Sequence, residues 1–333
     1  MRRREFLLTV AMLALAARHA VAQRSTAKKR IAVASGVMKV ADMTIGGDPF
    51  YDILFNELKR LGYREGENLI VDRYSAGGSN EKYAALVNEV VSSAPDVIVS
   101  ASSALTLLFK ADTNTIPIVA YTGDPIRFGL ITSLAHPGGN ITGVSVDAGV
   151  EIWGKRLALL AEAVPKLTNV VVIASQGAWD LAGGNAVREA AQKLGVSLLS
   201  AIVASPYKEA DYRRAFDSIR RDHVDGVMFS DEFPHWANRD LLVQLVKELR
   251  IPAMFVHRVQ VEAGGLMSYS YDGEPAIRTN ARQIVEILRG AKPADMPYVQ
   301  EVRFQLVINL KTAKTLGLEI PASLLARADN VIE

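Results

Sequence analysis

No cysteine occurs anywhere in the 333 residues. That excludes disulfides, thiolate metal sites and a cysteine nucleophile, so the folded chain must rest on packing alone. Histidine is scarce, and the five present (His19, His136, His223, His235 and His257) have no metal-ligand spacing. His136 precedes Pro137-Gly138-Gly139 and reads as a turn residue. His257 ends an apolar run and is the one histidine placed where a ligand could be met. The chain also lacks G-x-G-x-x-G, a Walker A sequence, H-E-x-x-H and G-x-S-x-G, which removes the usual signatures of dinucleotide binding, nucleotide hydrolysis, zinc proteolysis and serine hydrolysis.

Long apolar runs are missing as well, apart from one at the start. Arg2-Arg3-Arg4 is followed by an apolar stretch from Phe6 to Ala17 and by Ala20-Val21-Ala22. A basic segment, an apolar segment and a small-x-small site are the three parts of a signal peptide. The run is shorter than the roughly 20 residues that cross a bilayer. Residues 1–22 are therefore expected to be a signal peptide, removed near Ala22, and the mature chain to work in the periplasm. Arg3-Arg4-Glu5-Phe6-Leu7 fits the twin-arginine pattern as well as ordinary secretion.

A strong charge of one sign is also absent. The whole chain carries 38 basic and 36 acidic side chains, a formal +2. Without Arg2, Arg3, Arg4, Arg18 and Glu5 of the leader, +2 becomes −1. Nucleic acid is then not expected as a partner, since its binding needs a basic face.

What is present is rhythm. Short β-branched runs alternate with helical stretches: Ile31–Gly36, Leu69–Tyr74, Val97–Ser100, Ile116–Tyr121 and Ile141–Val144, and then again Val170–Ala174, Leu198–Val203, Gly226–Phe229 and Pro252–Val256. Continuous apolar strands separated by helices imply parallel sheets covered on both faces. Two such sets imply an α/β protein of two doubly wound parallel-sheet lobes. A third section, from Leu266 onward, can complete both. The expected division is 30–147 with 265–298 as one lobe and 148–264 with 299–333 as the other, joined by three crossing segments.

In sheets of this kind, ligands bind beyond the carboxyl ends of the strands. Those ends carry Ser35-Gly36, Ser102-Ser103 and Tyr121-Thr122-Gly123-Asp124 in the first set, and Ser175-Gln176, Asp231-Glu232-Phe233 and His257 in the second. Ser102 and Ser103 stand at an expected helix N-terminus, which suits an anion; simple N-capping is the alternative. Asp124 can receive an amine or shape the Asp-Pro turn. Asp231 can hold an ammonium or hydroxyl, or be a solvated loop residue. Tyr121, Trp179, Phe233, Trp236, Tyr269 and Tyr271 lie near these ends and can stack a planar ligand, or pack the core.

Several segments then occur together in order: Gly123-Asp124-Pro125, Leu134-Ala135-His136-Pro137-Gly138-Gly139-Asn140-Ile141-Thr142-Gly143-Val144, Gly154-Lys155-Arg156-Leu157-Ala158-Leu159-Leu160, Val261–Tyr269, Gly290–Pro297, Leu306–Lys314 and Ile320–Asp329. Together they resemble the ABC-transporter substrate-binding proteins of the tryptophan/tyrosine-type uptake family, across essentially the whole mature chain. The resemblance implies a type I periplasmic-binding fold, a small solute held between two lobes, and delivery to a membrane permease driven by an ATPase. It implies no enzyme activity, no cofactor and no metal. Gly36-Val37-Met38-Lys39 and Ala174-Ser175-Gln176 depart from the family's usual wording, while Ser230-Asp231-Glu232-Phe233 keeps its acid. The expected ligand is a small carboxylate-bearing solute, an amino acid or an aromatic acid. Ser35, Gly36, Ser102, Ser103, Thr122, Ser175 and Gln176 are the polar candidates for its site. Asp124 and Asp231 are candidates for an amine, Tyr121, Trp179 and Phe233 for the apolar part, and His257 and Tyr271 complete the candidate site. A sensory protein that shows its ligand to a receptor would use the same closure. An enzyme on a two-lobed α/β scaffold would need turnover and a nucleotide or metal.

Overall fold

In a computed structural model, residues 28–147, 149–219, 224–301 and 303–333 are described; the expected signal peptide lies outside them. The strands build two sheets. The first contains β1 (Lys29–Ser35), β2 (Leu69–Ser75), β3 (Val97–Ser100), β4 (Ile118–Thr122), β5 (Ile141–Ser145) and β11 (Val299–Gln300), in the order β11-β5-β4-β3-β1-β2. All its pairings are parallel. The second contains β6 (Asn169–Ala174), β7 (Ser197–Ile202), β8 (Gly226–Phe229), β9 (Ala253–Phe255), β10 (Met267–Tyr271), β12 (Phe304–Asn309) and β13 (Asn330–Ile332), in the order β13-β12-β10-β9-β8-β6-β7. Its one antiparallel pairing joins β10 to β12.

Side chains alternate across each sheet with period two, so each strand feeds two cores. In the first sheet, Ile31, Val33, Val97 and Val99 pack under α1 (Pro49–Arg60), together with Ile277, Ala281 and Ile284 of a later helix, Gly273–Leu288. The alternate residues Ala32, Ala34, Ile98 and Ile118 pack under α2 (Tyr83–Ser92) and α3 (Ser103–Asp112). In the second sheet, Val170, Val172, Met228 and Met254 meet α4 (Glu151–Ala163). On that same side, α5 (Gln176–Asp180) leads into α6 (Ala182–Leu194), whose Val187 and Ala191 join the core. Val171, Ile173, Val227 and Phe229 face the opposite layer. That layer holds α7 (Glu209–Ile219), with α8 (Phe233–Ala237) at the end of β8 and then α9 (Arg239–Leu249). The remaining helices are α10 (Arg258–Glu262), α11 (Gly273–Leu288), α12 (Leu310–Thr315) and α13 (Ala322–Leu325).

The sheet pairings move two of the expected boundaries. Residues 267–271 join the second sheet, because Met267 pairs with Met254 and the whole strand zips against β12. The chain then crosses at Asp272, which caps α11 by accepting from the Glu274 N–H at 3.4 Å. Val299 and Gln300 pair with Val144 and Ser145 and so belong to the first sheet. The chain thus crosses between the two sheets after β5, after β10 and after β11.

One position fixes the first sheet tightly. A Cβ on Gly143 would fall 2.0 Å from the Ala120 carbonyl oxygen on β4. That same oxygen accepts from Asn280 Nδ2 at 3.1 Å, and the Gly143 carbonyl accepts from Gln283 Nε2 at 3.0 Å. Buried amides of α11 thereby hold the backbone just below the strand ends.

Candidate functional site

The carboxyl ends of both sheets face one cleft of about 1030 Å³. Of the fourteen residues the sequence nominated, nine line it: Gly36, Ser102, Ser103, Tyr121 and Thr122 from the first half, and Asp231, Phe233, His257 and Tyr271 from the second. Most of these residues stand at or just beyond the ends of strands that run in one direction.

The cleft base is aromatic and crosses from one half to the other. Phe50 of α1 stands edge-on to Tyr121 at 5.1 Å, and Tyr121 meets Tyr271 at 6.4 Å. Tyr271 meets the His257 ring at 5.9 Å, which in turn is edge-on to Trp236 at 4.7 Å. Edge-to-face contacts of this kind hold rings in fixed orientations. Burial pushes the Tyr121 and Tyr271 hydroxyls well above the usual phenol range, so both stay protonated. Gly36 has its own role here: a Cβ would fall 2.3 Å from the Tyr83 hydroxyl, so the missing side chain admits that ring to the cleft wall.

On the first-half wall, α3 points its N-terminus at the cleft. Ser102 is its N-cap, accepting from the Leu105 N–H at 3.3 Å, and Ser103 Oγ accepts from the Gly123 N–H at 3.2 Å. First-turn N–H groups of a helix have no partner within the helix, and those of Ser103 and Ala104 belong to residues lining the cleft. Thr122 lines the cleft too, but its hydroxyl pairs with Tyr298 Oη at 2.6 Å and donates to the Gly123 carbonyl at 2.9 Å. It ties the strand end to the frame, and is not free for a solute.

On the second-half wall the charges are paired. Asp231 Oδ2 accepts from Arg156 Nη2 at 3.1 Å, and Arg156 Nε donates to the Tyr269 carbonyl at 2.7 Å. His257 Nε2 lies 4.0 Å from Asp231 Oδ1. Burial alone would raise the Asp231 carboxyl, but the Arg156 charge and hydrogen bond outweigh it and hold it below the usual carboxylate range. Burial pushes the His257 imidazole down to about 4, aided by Arg156 and Arg239 and opposed by Asp231. At neutral pH the group is thus a carboxylate, a guanidinium and a neutral ring. Beside it, Glu232 Oε2 accepts from the Ser175 N–H at 2.9 Å and from Ser230 Oγ. His235 bridges Ser230 Oγ at 3.0 Å and Tyr212 Oη at 2.9 Å. Burial also lowers His235, which keeps that ring neutral.

Five nominated residues do other work. Ser35 Oγ accepts from the Val37 and Met38 N–H groups at 3.3 and 2.9 Å and shapes the turn after β1. Asp124 Oδ1 accepts from the Ile126 and Arg127 N–H groups at 2.9 and 3.1 Å, the turn role. Ser175 caps α5 by accepting from the Ala178 N–H at 3.2 Å, and Gln176 donates to Asp180 at 2.7 Å along that helix. The Trp179 indole lies under the Arg188 guanidinium at 4.6 Å and packs on the second core. The single-turn helix α5 turns Trp179 away, and Ala178, Leu181 and Gly183 reach the cleft in its place. Among the described residues, no group of three His, Asp or Glu side chains is placed to hold a metal ion.

Residues 46–332 match the family described as ABC transporter substrate binding protein. The chain belongs to that family. A tyrosine-binding protein of Clostridioides difficile (strain R20291) is 22% identical over 264 residues, covering 79% of this chain and 74% of the relative. A conserved domain protein from Vibrio cholerae superposes with a TM-score of 0.75 at 25% identity, over 91% of this chain and 99% of that one. An ABC domain from Streptococcus pneumoniae in complex with L-Trp superposes at 0.73 and 23% identity, over 92% and 100%. A ligand-free, open substrate-binding protein with adhesive properties from Clostridium difficile superposes at 0.59 and 21% identity, over 91% and 99%.

This substrate-binding protein also has residues at the cleft, and one behind its wall, that do not stand at strand ends. Phe50 and Trp153 line the cleft from helices, not from strand ends. Arg156, 0% exposed, interrupts an otherwise apolar face of α4 formed by Ile152, Leu157 and Leu160. A charge at a core position of an amphipathic helix was the signal available, since buried charge needs a partner. Arg127, on the first-half lip, is a further cation at the cleft.

Proposed function

We propose that this substrate-binding protein captures a small carboxylate-bearing solute with an aromatic or apolar body, an amino acid or aromatic acid, by closing its two halves over it. The observation that carries this is the aromatic base, built from Phe50 and Tyr121 on one side and Tyr271, His257 and Trp236 on the other. A flat apolar body between them touches both halves at once and so favours the closed form. The solute carboxylate is assigned to the α3 N-terminus at Ser102 and Ser103, where the unpaired N–H groups and the dipole favour an anion. Arg127 on the adjoining lip adds a guanidinium suited to a carboxylate. Asp231 keeps Oδ1 for an ammonium, while Oδ2 stays with Arg156. The hydrogen bonds from Trp236 Nε1 and Arg239 Nη1 across to Asp48 Oδ2, at 3.0 and 2.7 Å, support a closed arrangement. In this reading the protein works in the periplasm and hands its solute to the permease and ATPase of an importer; it performs no chemistry, needs no cofactor, and has no dealings with nucleic acid.

The test is a melting-temperature screen of the purified protein against L-tryptophan, L-tyrosine, L-phenylalanine, indole-3-propionate and benzoate. A ligand held only by the folded state raises the melting temperature as its concentration rises. Saturable stabilisation by at least one aromatic acid is expected. A flat response to all five, with a saturable response to sugars in a parallel set, would overturn the solute class.

A further inference from the structure

The halves also meet beside the cleft, at a contact whose charged pair, Asp48 and Arg239, does not line it. Asp48 caps α1 through Oδ1, which accepts from the Phe50 N–H at 3.0 Å. Its other oxygen turns to the opposite half: Oδ2 accepts from Trp236 Nε1 at 3.0 Å and from Arg239 Nη1 at 2.7 Å. The Arg239 guanidinium lies over the Trp236 indole, 5.1 Å from its centroid, and donates to the Trp236 carbonyl at 3.2 Å. Asp48 is 2% exposed. A buried carboxylate persists only where it is paired and hydrogen-bonded, and two of its three donors come from the other half. Parting the halves removes both donors together and returns the two charges to water. The contact therefore acts only while the halves are together. A smaller bridge flanks it, where Ser205 Oγ donates to the Gly78 carbonyl at 3.1 Å.

We propose that Asp48 and Arg239 form a bolt that maintains a closed population in the solute-free protein and slows solute escape without touching the solute. They are positioning residues: the bolt acts through Trp236 and Phe50, its neighbours in the cleft wall. The proposal rests on closure as the binding motion, but not on which solute is bound.

The cysteine-free chain lends itself to the test. Glu67→Cys on the first half and Asp217→Cys on the second, both exposed, give the only thiols for a pair of spin labels. Distances between the labels are measured by pulsed electron resonance on solute-free protein. The labelled protein is expected to show a compact population. Arg239→Met and Asp48→Asn should each lower the compact-to-extended ratio by about tenfold. Asparagine caps a helix as well as aspartate, so Asp48→Asn leaves α1 intact and decides the matter should Arg239→Met fold poorly. Arg30→Met, which breaks the Arg30–Asp72 pair within the first half, should leave the ratio unchanged. Identical distributions in wild type, Asp48→Asn and Arg30→Met would overturn the bolt, as would a wild type that is wholly extended. Neither result depends on the aromatic-acid screen, so failure of the solute class and failure of the bolt are separable.

Discussion

Across the cleft, the first half offers hydroxyls and helix-end N–H groups, whereas the second offers ionised side chains that already hold one another. Ser102, Ser103 and Thr122 are each tied within the first half by neutral hydrogen bonds. Asp231 on the other side is ionised because Arg156 is beside it, and Arg156 is tolerated in the core because Asp231 is there. The difference teaches how substitutions should be read. On the first wall, a lost side chain costs a cap or a solute contact. On the second, it strands a charge, so an apparent binding defect carries a folding defect with it.

The largest expected effect follows from that asymmetry. Asp231→Ala leaves Arg156 buried without its carboxylate and should cost about 3 kcal/mol in urea unfolding. Binding alone does not identify Asp231 as an amine acceptor. A selective loss for L-tryptophan over indole-3-propionate, which has no amine, would do so. If Asp231→Ala unfolds at the wild-type urea concentration, the contrast between the walls fails.

Acid should act on the second wall next. The His257 imidazole titrates near 4 in the folded protein, against about 6.5 in an unfolded chain. The unfolded state therefore binds the proton first as pH falls. The stability that the neutral ring allows is complete above about pH 6.5 and is lost progressively down to about 4. The loss is at most about 3 kcal/mol. His235, lowered in the same direction, adds to it. His257→Gln should flatten part of the fall in melting temperature between pH 6.5 and 4. An unchanged profile would place the acid sensitivity elsewhere.

First-wall substitutions should be milder. Asp124→Ala removes two backbone contacts at an exposed turn and should cost about 1 kcal/mol, with solute affinity unchanged. Ser102→Ala loses the α3 cap at a similar cost of about 1 kcal/mol. It should also weaken carboxylate-bearing solutes more than their amides, which isothermal titration can compare directly. Equal weakening of acid and amide would remove the carboxylate from the α3 N-terminus.

The alternation of apolar strands and helices made the two-sheet architecture legible, because fully buried parallel strands read as unbroken apolar runs such as Val170–Ala174. Much of the cleft was legible by the same logic, since parallel strands carry their carboxyl ends to one side of the sheet. What escaped was what a single turn of helix does beyond a strand. Gln176–Asp180 swings Trp179 onto the core, and Phe233–Ala237 sets Trp236 against Asp48. Helices of five residues leave no periodicity to read. Capping and solute contact also share one vocabulary: Ser35, Asp124 and Ser175 have the residue types of a binding site and spend them on their own backbone. The sheet to which residues 267–271 belong was not legible, because membership depends on the partner strands β9 and β12, and a strand's own sequence does not name its neighbour.

The central claim, that aromatic groups from both halves grip one solute, is tested most directly by a double-mutant cycle in isothermal titration calorimetry. Phe50→Ala and Tyr271→Ala are made singly and together, with the aromatic acid that most stabilises the wild type as the titrant. Each single change should weaken binding by about tenfold, and the double change should weaken it by less than the product of the two, because both rings face the same guest. Wild-type affinity in both single variants would contradict the account.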